Sequence, residues 1–163
     1  MAVVYPSILD FEASGLDAES YPIQVAVLLN GAESYDWFIE PEPSWRYWDP
    51  VAESIHGYSR QEIIAKGLPV IEVAVALNHQ LKDQTVFCDA LEWDGFWLRR
   101  LFDAAFIQPC FELHDLSELL SNSQIKEYRH KLEKIAASGN YRQHHAEEDV
   151  KLILEAYCQI KDT

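Results

Sequence analysis

An Asn30-Gly31 pair between two segments typical of β-strands is the feature that most constrains the fold of this chain. Asn-Gly favours the left-handed backbone of a tight turn, so the apolar run over residues 22–29 and the alternating pattern over 33–40 are expected to pair as an antiparallel hairpin. Residues 7–12 form another largely apolar run, which predicts a buried strand before the hairpin. The chain is therefore expected to begin with three strands joined by hairpins.

Helix and strand patterns alternate after an aromatic-rich loop at residues 41–50. The rings of this loop either stack on bases or cover the core or a partner subunit. Ser59 and Glu62 form a capping box that begins a helix, and Gly67 ends it. Apolar periodicity predicts further helices over 69–81, 94–105, 124–136 and 146–160, and short strands over 85–89 and 110–114. This order indicates the α/β class, with a mixed five-stranded sheet flanked by helices. Because no linker or repeat interrupts it, residues 1–163 are interpreted as a single domain.

The charge balance of the chain limits the partners that it suits. Its 27 acidic residues against 13 lysines and arginines give a formal net charge of −14, whereas proteins that grip long nucleic acids are usually basic. Apolar runs stay short of the roughly 20 residues that span a membrane, so no membrane partner is expected. The N-terminus lacks a basic segment typical of export, and an odd number of cysteines suits a reducing compartment. We therefore expect a cytoplasmic protein.

Acidic side chains occur where a metal site is chemically reasonable. Asp10 and Glu12 leave the same face near the end of the first predicted strand. There they either face solvent on an edge strand or, on a central strand, surround a cation that offsets their mutual repulsion. Asp94 and Asp149 lie at the starts of two predicted helices, where a carboxylate either interacts with the helix dipole or points at the sheet. The small-residue turn after Glu12 favours the metal interpretation for the first pair.

His144 lies five residues before Asp149 in a polar stretch, where it either remains a surface histidine or swings over a bound substrate. Together with it, the four carboxylates suit two divalent ions about 3.5–4 Å apart. Oxygen ligands select Mg²⁺ or Mn²⁺ over zinc. A histidine, whose pKa lies near neutrality, is suited to take a proton from a metal-activated water. These residues therefore indicate a two-metal nuclease.

Several segments resemble, in order and spacing, the motifs of one family. Residues 5–16, around Asp10 and Glu12, resemble the first motif of the DEDDh 3′–5′ exonucleases, which are DnaQ-like and have a ribonuclease H-like fold. The other matches are residues 22–27 to the second strand of the family, 55–58 to its His-Gly-Ile-Thr segment, 87–94 to its second motif and 144–149 to its third. Because the matches cover nearly the whole chain, they imply a ribonuclease H-like mixed sheet for this protein.

The resemblance implies roles for individual residues. It implies that the metals are bound by four carboxylates, namely Asp10, Glu12, Asp94 and Asp149. It also implies that His144 is the general base and that the last bases are held by Leu16, Ile55 and His56. The asparagine that often precedes the aspartate of the second motif is absent, and Asp89 and Glu92 flank its position, so assistance from either residue stays open. Whether the adjacent His145 replaces His144 also stays open.

We accordingly expect a metal-dependent 3′–5′ exonuclease that binds two Mg²⁺ or Mn²⁺ ions and hydrolyses single-stranded or short nucleic acid to nucleoside monophosphates. The acidity of the chain favours short substrates over long ones. The alternatives are an exoribonuclease specialist, a proofreading-type DNA exonuclease subunit, and a non-catalytic nucleic-acid or protein binding module on the same fold. Many members of the family form homodimers, so a homodimer is one expected oligomeric state.

Overall fold

The three N-terminal strands pair as the turn chemistry predicts. In the computed structural model, which describes residues 4–162, Asn30 and Gly31 have φ values of 50° and 76°, and the Ala32 N–H donates to the Leu29 carbonyl at 3.0 Å. This left-handed turn joins two antiparallel strands, and the strand before them pairs antiparallel with the first of the two. In chain order these are β1 (Ser7–Ala13), β2 (Pro22–Leu29) and β3 (Glu33–Phe38).

Two parallel strands complete the sheet. β4 (Thr85–Cys88) pairs with β1, and β5 (Glu112–Asp115) pairs with β4, which gives the order β3-β2-β1-β4-β5. The helices of the described residues are α1 (Pro50–His56), α2 (Arg60–Lys66), α3 (Val70–Leu81), α4 (Leu91–Ala105), α5 (Asn122–Ala137) and α6 (Ala146–Lys161), with a 3₁₀ helix at Leu116–Leu119. The mixed five-stranded α/β sheet flanked by helices is thus confirmed, whereas the predicted domain limits at 1 and 163 lie outside the described residues. Over residues 4–162, no helix is both long and apolar enough to cross a membrane.

The patterns do not predict α1, although its ends carry recognisable signals. The Asp49 side chain accepts a hydrogen bond from the Val51 N–H at 2.9 Å, and Pro50 occupies the first turn, where a missing N–H costs nothing. Gly57 ends the helix in the left-handed conformation with φ 81°. These three residues make α1 a short, capped helix beside the aromatic loop.

Several predicted boundaries are shifted, and two of the shifts have an identifiable local reason. α4 begins at Leu91 rather than at residue 94, because Ala90 precedes it without a side-chain cap and so leaves no start signal in the sequence. β5 begins at Glu112 rather than at residue 110, because the Cys110 N–H donates to Asn78 Oδ1 on α3 at 2.8 Å instead of joining the sheet. Asp94 consequently lies in the first turn of α4 rather than at its start.

Side chains of β1 alternate between two cores. Leu9 and Phe11 pack with α3 and α4 on one face, whereas Ile8 packs with α5 and α6 on the other. Asp10 and Glu12 have the same parity as Ile8, so they leave the sheet on the α6 face. β1 lies between β2 and β4. The solvent-facing edge strand that the sequence left open for these two carboxylates is therefore excluded.

Candidate metal centre

Three aspartates meet at the carboxyl ends of β1 and β4. Because the two strands are parallel, Asp10 near the end of β1 and Asp89 just after β4 lie at the same edge of the sheet. Asp94 enters from the first turn of α4, where its Oδ1 accepts a hydrogen bond from the Phe11 N–H at 3.2 Å. Asp10, Asp89 and Asp94 each offer an oxygen, and these oxygens lie within 4.8 Å of one another. We call these three residues the inner group.

The inner group is buried, and some of its oxygens have no hydrogen-bond partner. Asp10 and Asp94 are only 9% and 2% exposed, and the Oδ2 atom of each has no hydrogen-bond partner among the described residues. Burial raises the pKa of both carboxyls well above the usual range, and nearby carboxylates raise it further. Adjacent buried carboxylates repel one another unless protons or a cation lie between them. The inner group therefore has the properties of a cation site.

A second cluster, which we call the outer group, contains Glu12, His144 and Asp149. Their ligand atoms also lie within 4.8 Å of one another. His144 is exposed, has φ 65°, and donates its backbone N–H to Asp149 Oδ1 at 3.1 Å. Burial, followed by a hydrogen bond to Asp149, raises the pKa of Glu12 from 4.5 to about 10. The structure thus brings together the four carboxylates and the histidine singled out in the sequence.

Gln24 fixes the start of α6 against the sheet, a role that the sequence analysis missed. This side chain is fully buried on β2, and its Nε2 donates to Glu147 Oε2 at 2.6 Å. Its Oε1 accepts the Ala146 N–H, one of the unpaired donors at the start of α6, at 3.1 Å. A lone amide within an otherwise apolar strand was the available signal. Gln24 thereby holds the helix that carries Asp149.

The two adjacent histidines have different environments. His145 precedes α6, its Nδ1 forms a hydrogen bond with the Tyr58 hydroxyl, and its Nε2 lies 3.3 Å from an Arg142 guanidinium nitrogen. His144 instead lines a cavity on each side of the outer group. Both ring nitrogens of His145 thus have partners, whereas the His144 ring faces the accessible space.

An apolar cavity of about 190 Å³ adjoins the outer group. Its lining includes Leu16, Ile55 and His56 from the predicted substrate residues, together with Glu12 and His144. Leu16 is 69% exposed and Ile55 is 51% exposed, so both present apolar surface at this cavity. The three residues named from the sequence therefore lie around one opening beside the carboxylates.

His56 contributes a polar atom to this apolar cavity. The ring is 2% exposed, and its Nδ1 accepts the Tyr58 N–H at 3.0 Å. An accepting Nδ1 leaves the proton of the neutral ring on Nε2, and Nε2 has no hydrogen-bond partner in the described part of the chain. Burial lowers the pKa of this histidine, which favours the neutral ring. The lining of the cavity thus includes a buried ring whose Nε2–H has no partner in the described part of the chain.

Two other sequence candidates lie apart from these contacts. Glu92 is exposed and belongs to neither group. Trp45, in the aromatic loop, is buried and stacks on Tyr21 with ring centroids 5.5 Å apart. This ring therefore covers the core, which was one of the two roles that the sequence left open for the loop.

Solved exonuclease I structures are similar to this chain. A zinc-bound E. coli exonuclease I complex with single-stranded DNA has a TM-score of 0.75 at 18% identity, and the match covers 97% of this chain and 41% of that one. Exonuclease I from Methylocaldum szegediense has a TM-score of 0.75 at 16% identity, covering 98% and 41%. A product-bound exonuclease I structure has a TM-score of 0.72 at 17% identity, covering 97% and 44%.

These comparisons bear on the fold. No family model and no curated protein matches the sequence, and identities of 16% to 18% establish architecture rather than activity. The chain spans 41% to 44% of the length of these exonuclease I chains. It therefore has the ribonuclease H-like α/β fold that these enzymes contain.

Proposed function

We propose that this chain is a metal-dependent 3′–5′ exonuclease domain, which residues 1–163 form as one unit, and that it hydrolyses single-stranded or short nucleic acid to nucleoside monophosphates. The observation that carries the proposal is the pair of acidic groups at one end of the sheet, with His144 between two cavities. A binding module without chemistry gains nothing from clustered buried carboxylates, because their repulsion destabilises the fold.

The residues fit divalent ions. In the inner group, the buried Oδ2 atoms of Asp10 and Asp94 have no hydrogen-bond partner among the described residues, and a bound cation would supply one. Oxygen donors with a single histidine nearby favour Mg²⁺ or Mn²⁺ over zinc. The residues that would hold two ions are Asp10, Glu12, Asp94 and Asp149. When bound, such ions activate a water molecule and stabilise the leaving oxygen of a phosphodiester.

His144 supplies the base in this proposal. Its ring is exposed beside Glu12 and Asp149, where it can accept a proton from a water molecule as a general base. The hydrogen bond from its backbone to Asp149 ties the position of the loop to the start of α6. His145 is less suited to this role because Tyr58 and Arg142 engage its ring nitrogens.

The apolar cavity holds the terminal nucleotide. Leu16 and Ile55 present exposed apolar surface that a flat base can cover, and the His56 ring lies beside them in the lining of the cavity. A cavity of about 190 Å³ is large enough for a single base but not for a base pair. Single-stranded or frayed ends are therefore the substrates, as in the single-stranded DNA complex of the similar exonuclease I.

The negative net charge of the chain favours short substrates over long ones. At a formal net charge of −14 the chain has no long-range positive field to collect polyanions. Affinity then comes from the ions and from contacts to the last few nucleotides, so extending an oligonucleotide improves binding little.

The test uses 5′-labelled single-stranded DNA and RNA oligonucleotides with a free or a blocked 3′ end. We expect stepwise shortening from the free 3′ end in Mg²⁺ or Mn²⁺, and none with the blocked end or with excess chelator. Asp149→Asn serves as the inactive control. Shortening from the 5′ end, or full activity in chelator, would contradict the proposal, and the relative rates on DNA and RNA identify the preferred sugar.

A further inference from the structure

Asp89 occupies a position in register with Asp10. The parallel β1–β4 ladder pairs Ile8 with Phe87, and Asp10 and Asp89 each lie two residues further along their strand segments. Side chains two residues apart leave the same face of a strand. Asp89 is thereby directed to the side of the sheet that carries the metal centre, although it follows the last residue of β4.

The surroundings of Asp89 are those of a ligand. It offers an oxygen within 4.8 Å of those of Asp10 and Asp94, whose Oδ2 atoms are buried and have no partner in the described part of the chain. It also lines the cavity of about 410 Å³ that contains Asp10, His144 and Asp149. Between residues 4 and 162, no lysine, arginine or histidine forms an ion pair with Asp89, and the charge of Arg129 offsets only part of the increase in pKa that burial causes.

A neutral donor holds Asp89 from the opposite side. Tyr128 on α5 is 5% exposed, and its hydroxyl donates to Asp89 Oδ2 at 3.3 Å. This hydrogen bond orients the carboxylate without cancelling its charge. In many metal sites, a residue that does not contact the ion donates a hydrogen bond that orients a metal-binding carboxylate, and Tyr128 is placed to do the same for Asp89.

We propose that Asp89 is a direct ligand of the ion held by Asp10 and Asp94, and that Tyr128 is its positioning residue. This inference rests on the metal centre of the proposed function and adds one ligand to it. A third carboxylate increases the negative charge around the inner ion, which raises affinity for a divalent cation. The inner ion consequently binds tightly without any contribution from nucleic acid phosphates.

The test is Mn²⁺ titration of the full chain without nucleic acid, followed by calorimetry and by electron paramagnetic resonance of free Mn²⁺. Asp89→Asn keeps an acceptor for Tyr128 but removes the charge, and we expect it to weaken one ion by about tenfold or more while the other is unchanged. Tyr128→Phe should weaken the same ion by about tenfold. Glu92→Gln, an exposed acid three residues away, is the matched control and should bind like the wild type.

Unchanged affinity of both ions in Asp89→Asn, or an equal loss in Glu92→Gln, would overturn the inference. The metal-free melting temperature of Asp89→Asn should equal or exceed that of the wild type, because one repelling charge is removed. If Asp89-dependent binding occurs but no oligonucleotide is hydrolysed, this inference stands and the exonuclease proposal fails. If hydrolysis occurs while Asp89→Asn binds both ions normally, only this inference fails.

Discussion

The inner and outer groups lie at the same end of the sheet but differ in burial and in hydrogen bonding. The inner group consists of aspartates fixed by β1, β4 and the first turn of α4, with buried oxygens that have no partners in the described residues. The outer group combines a carboxyl hydrogen bond between Glu12 and Asp149 with an exposed histidine on a left-handed backbone. One group is suited only to hold a cation, whereas the other can also exchange a proton.

This difference separates two tasks that a hydrolytic centre must perform. A buried carboxylate cluster is suited to hold an ion, because the Oδ2 atoms of Asp10 and Asp94 have no partner among the described residues. An exposed histidine beside the cluster is instead accessible to water and can serve as a general base. The variants below are ordered by expected effect, and each alters one group while leaving the other intact.

The largest effect should come from removing a carboxylate from either group. Asp94→Asn in the inner group and Asp149→Asn in the outer group should each lower turnover by about 10³-fold or more, since a bound ion contributes several kcal/mol of transition-state stabilisation. Single-turnover hydrolysis of a labelled oligonucleotide measures this loss, with Glu92→Gln as the control. Near-normal turnover in Asp94→Asn would show that the reaction does not need the inner group.

The histidine of the outer group should have the next largest effect. His144→Ala is expected to reduce turnover by about 10²–10⁴-fold while both ions still bind, because a positioned base contributes that much. His145→Ala should lose much less activity but about 1 kcal/mol of stability, since its hydrogen bond to Tyr58 is removed. Turnover and chemical denaturation of both variants provide the comparison. Equal activity losses would show that the loop, rather than one base, had been disturbed.

Sequence reasoning predicted the strand order of the hairpins, the alternating helices and five of the residues that meet at the site. The periodicity of β1 placed Asp10 and Glu12 on one face, and the spacing of His144 and Asp149 grouped them at the start of α6. Sequence reasoning could not predict which distant segments contact one another. The register that aligns Asp89 with Asp10, and the hydrogen bonds of Gln24 to α6, depend on strand pairing and packing that no local pattern encodes.

The metal-free protein should lose stability as the pH rises. The pKa of Glu12 is raised from 4.5 to about 10, so the folded chain keeps a proton that the unfolded chain releases. This contribution is complete below about pH 4.5 and is lost as the pH rises towards 10. Thermal melting in chelator should therefore show a melting temperature that falls by several degrees across this range, and saturating Mg²⁺ should reduce the fall.

In the same experiment, Glu12→Gln separates the contribution of the outer group to the pH dependence of the melting temperature from that of the inner group. The variant should flatten the pH dependence in part, because Asp10 and Asp94 of the inner group also have raised pKa values. A melting temperature that is independent of pH in the metal-free wild type would contradict the buried, like-charged centre.

Smaller changes in stability and turnover are expected for Gln24, the β2 residue that holds the start of α6 and thereby positions Asp149 of the outer group. Gln24→Ala should destabilise the fold by about 1–3 kcal/mol, because the buried Ala146 N–H loses its acceptor. Turnover should fall moderately as the start of α6 loosens. Gln61→Ala, at an exposed glutamine on α2, is the control. If urea denaturation gives the same stability for both variants, Gln24 does not anchor α6.

The central claim, that the two groups form one two-ion centre, is tested most directly by anomalous diffraction from crystals soaked in Mn²⁺. We predict two manganese peaks, one against Asp10, Asp89 and Asp94 and the other against Glu12 and Asp149. In Asp94→Asn crystals the first peak should weaken while the second remains. No manganese at either group under saturating conditions, or ions bound only elsewhere on the acidic surface, would contradict the claim.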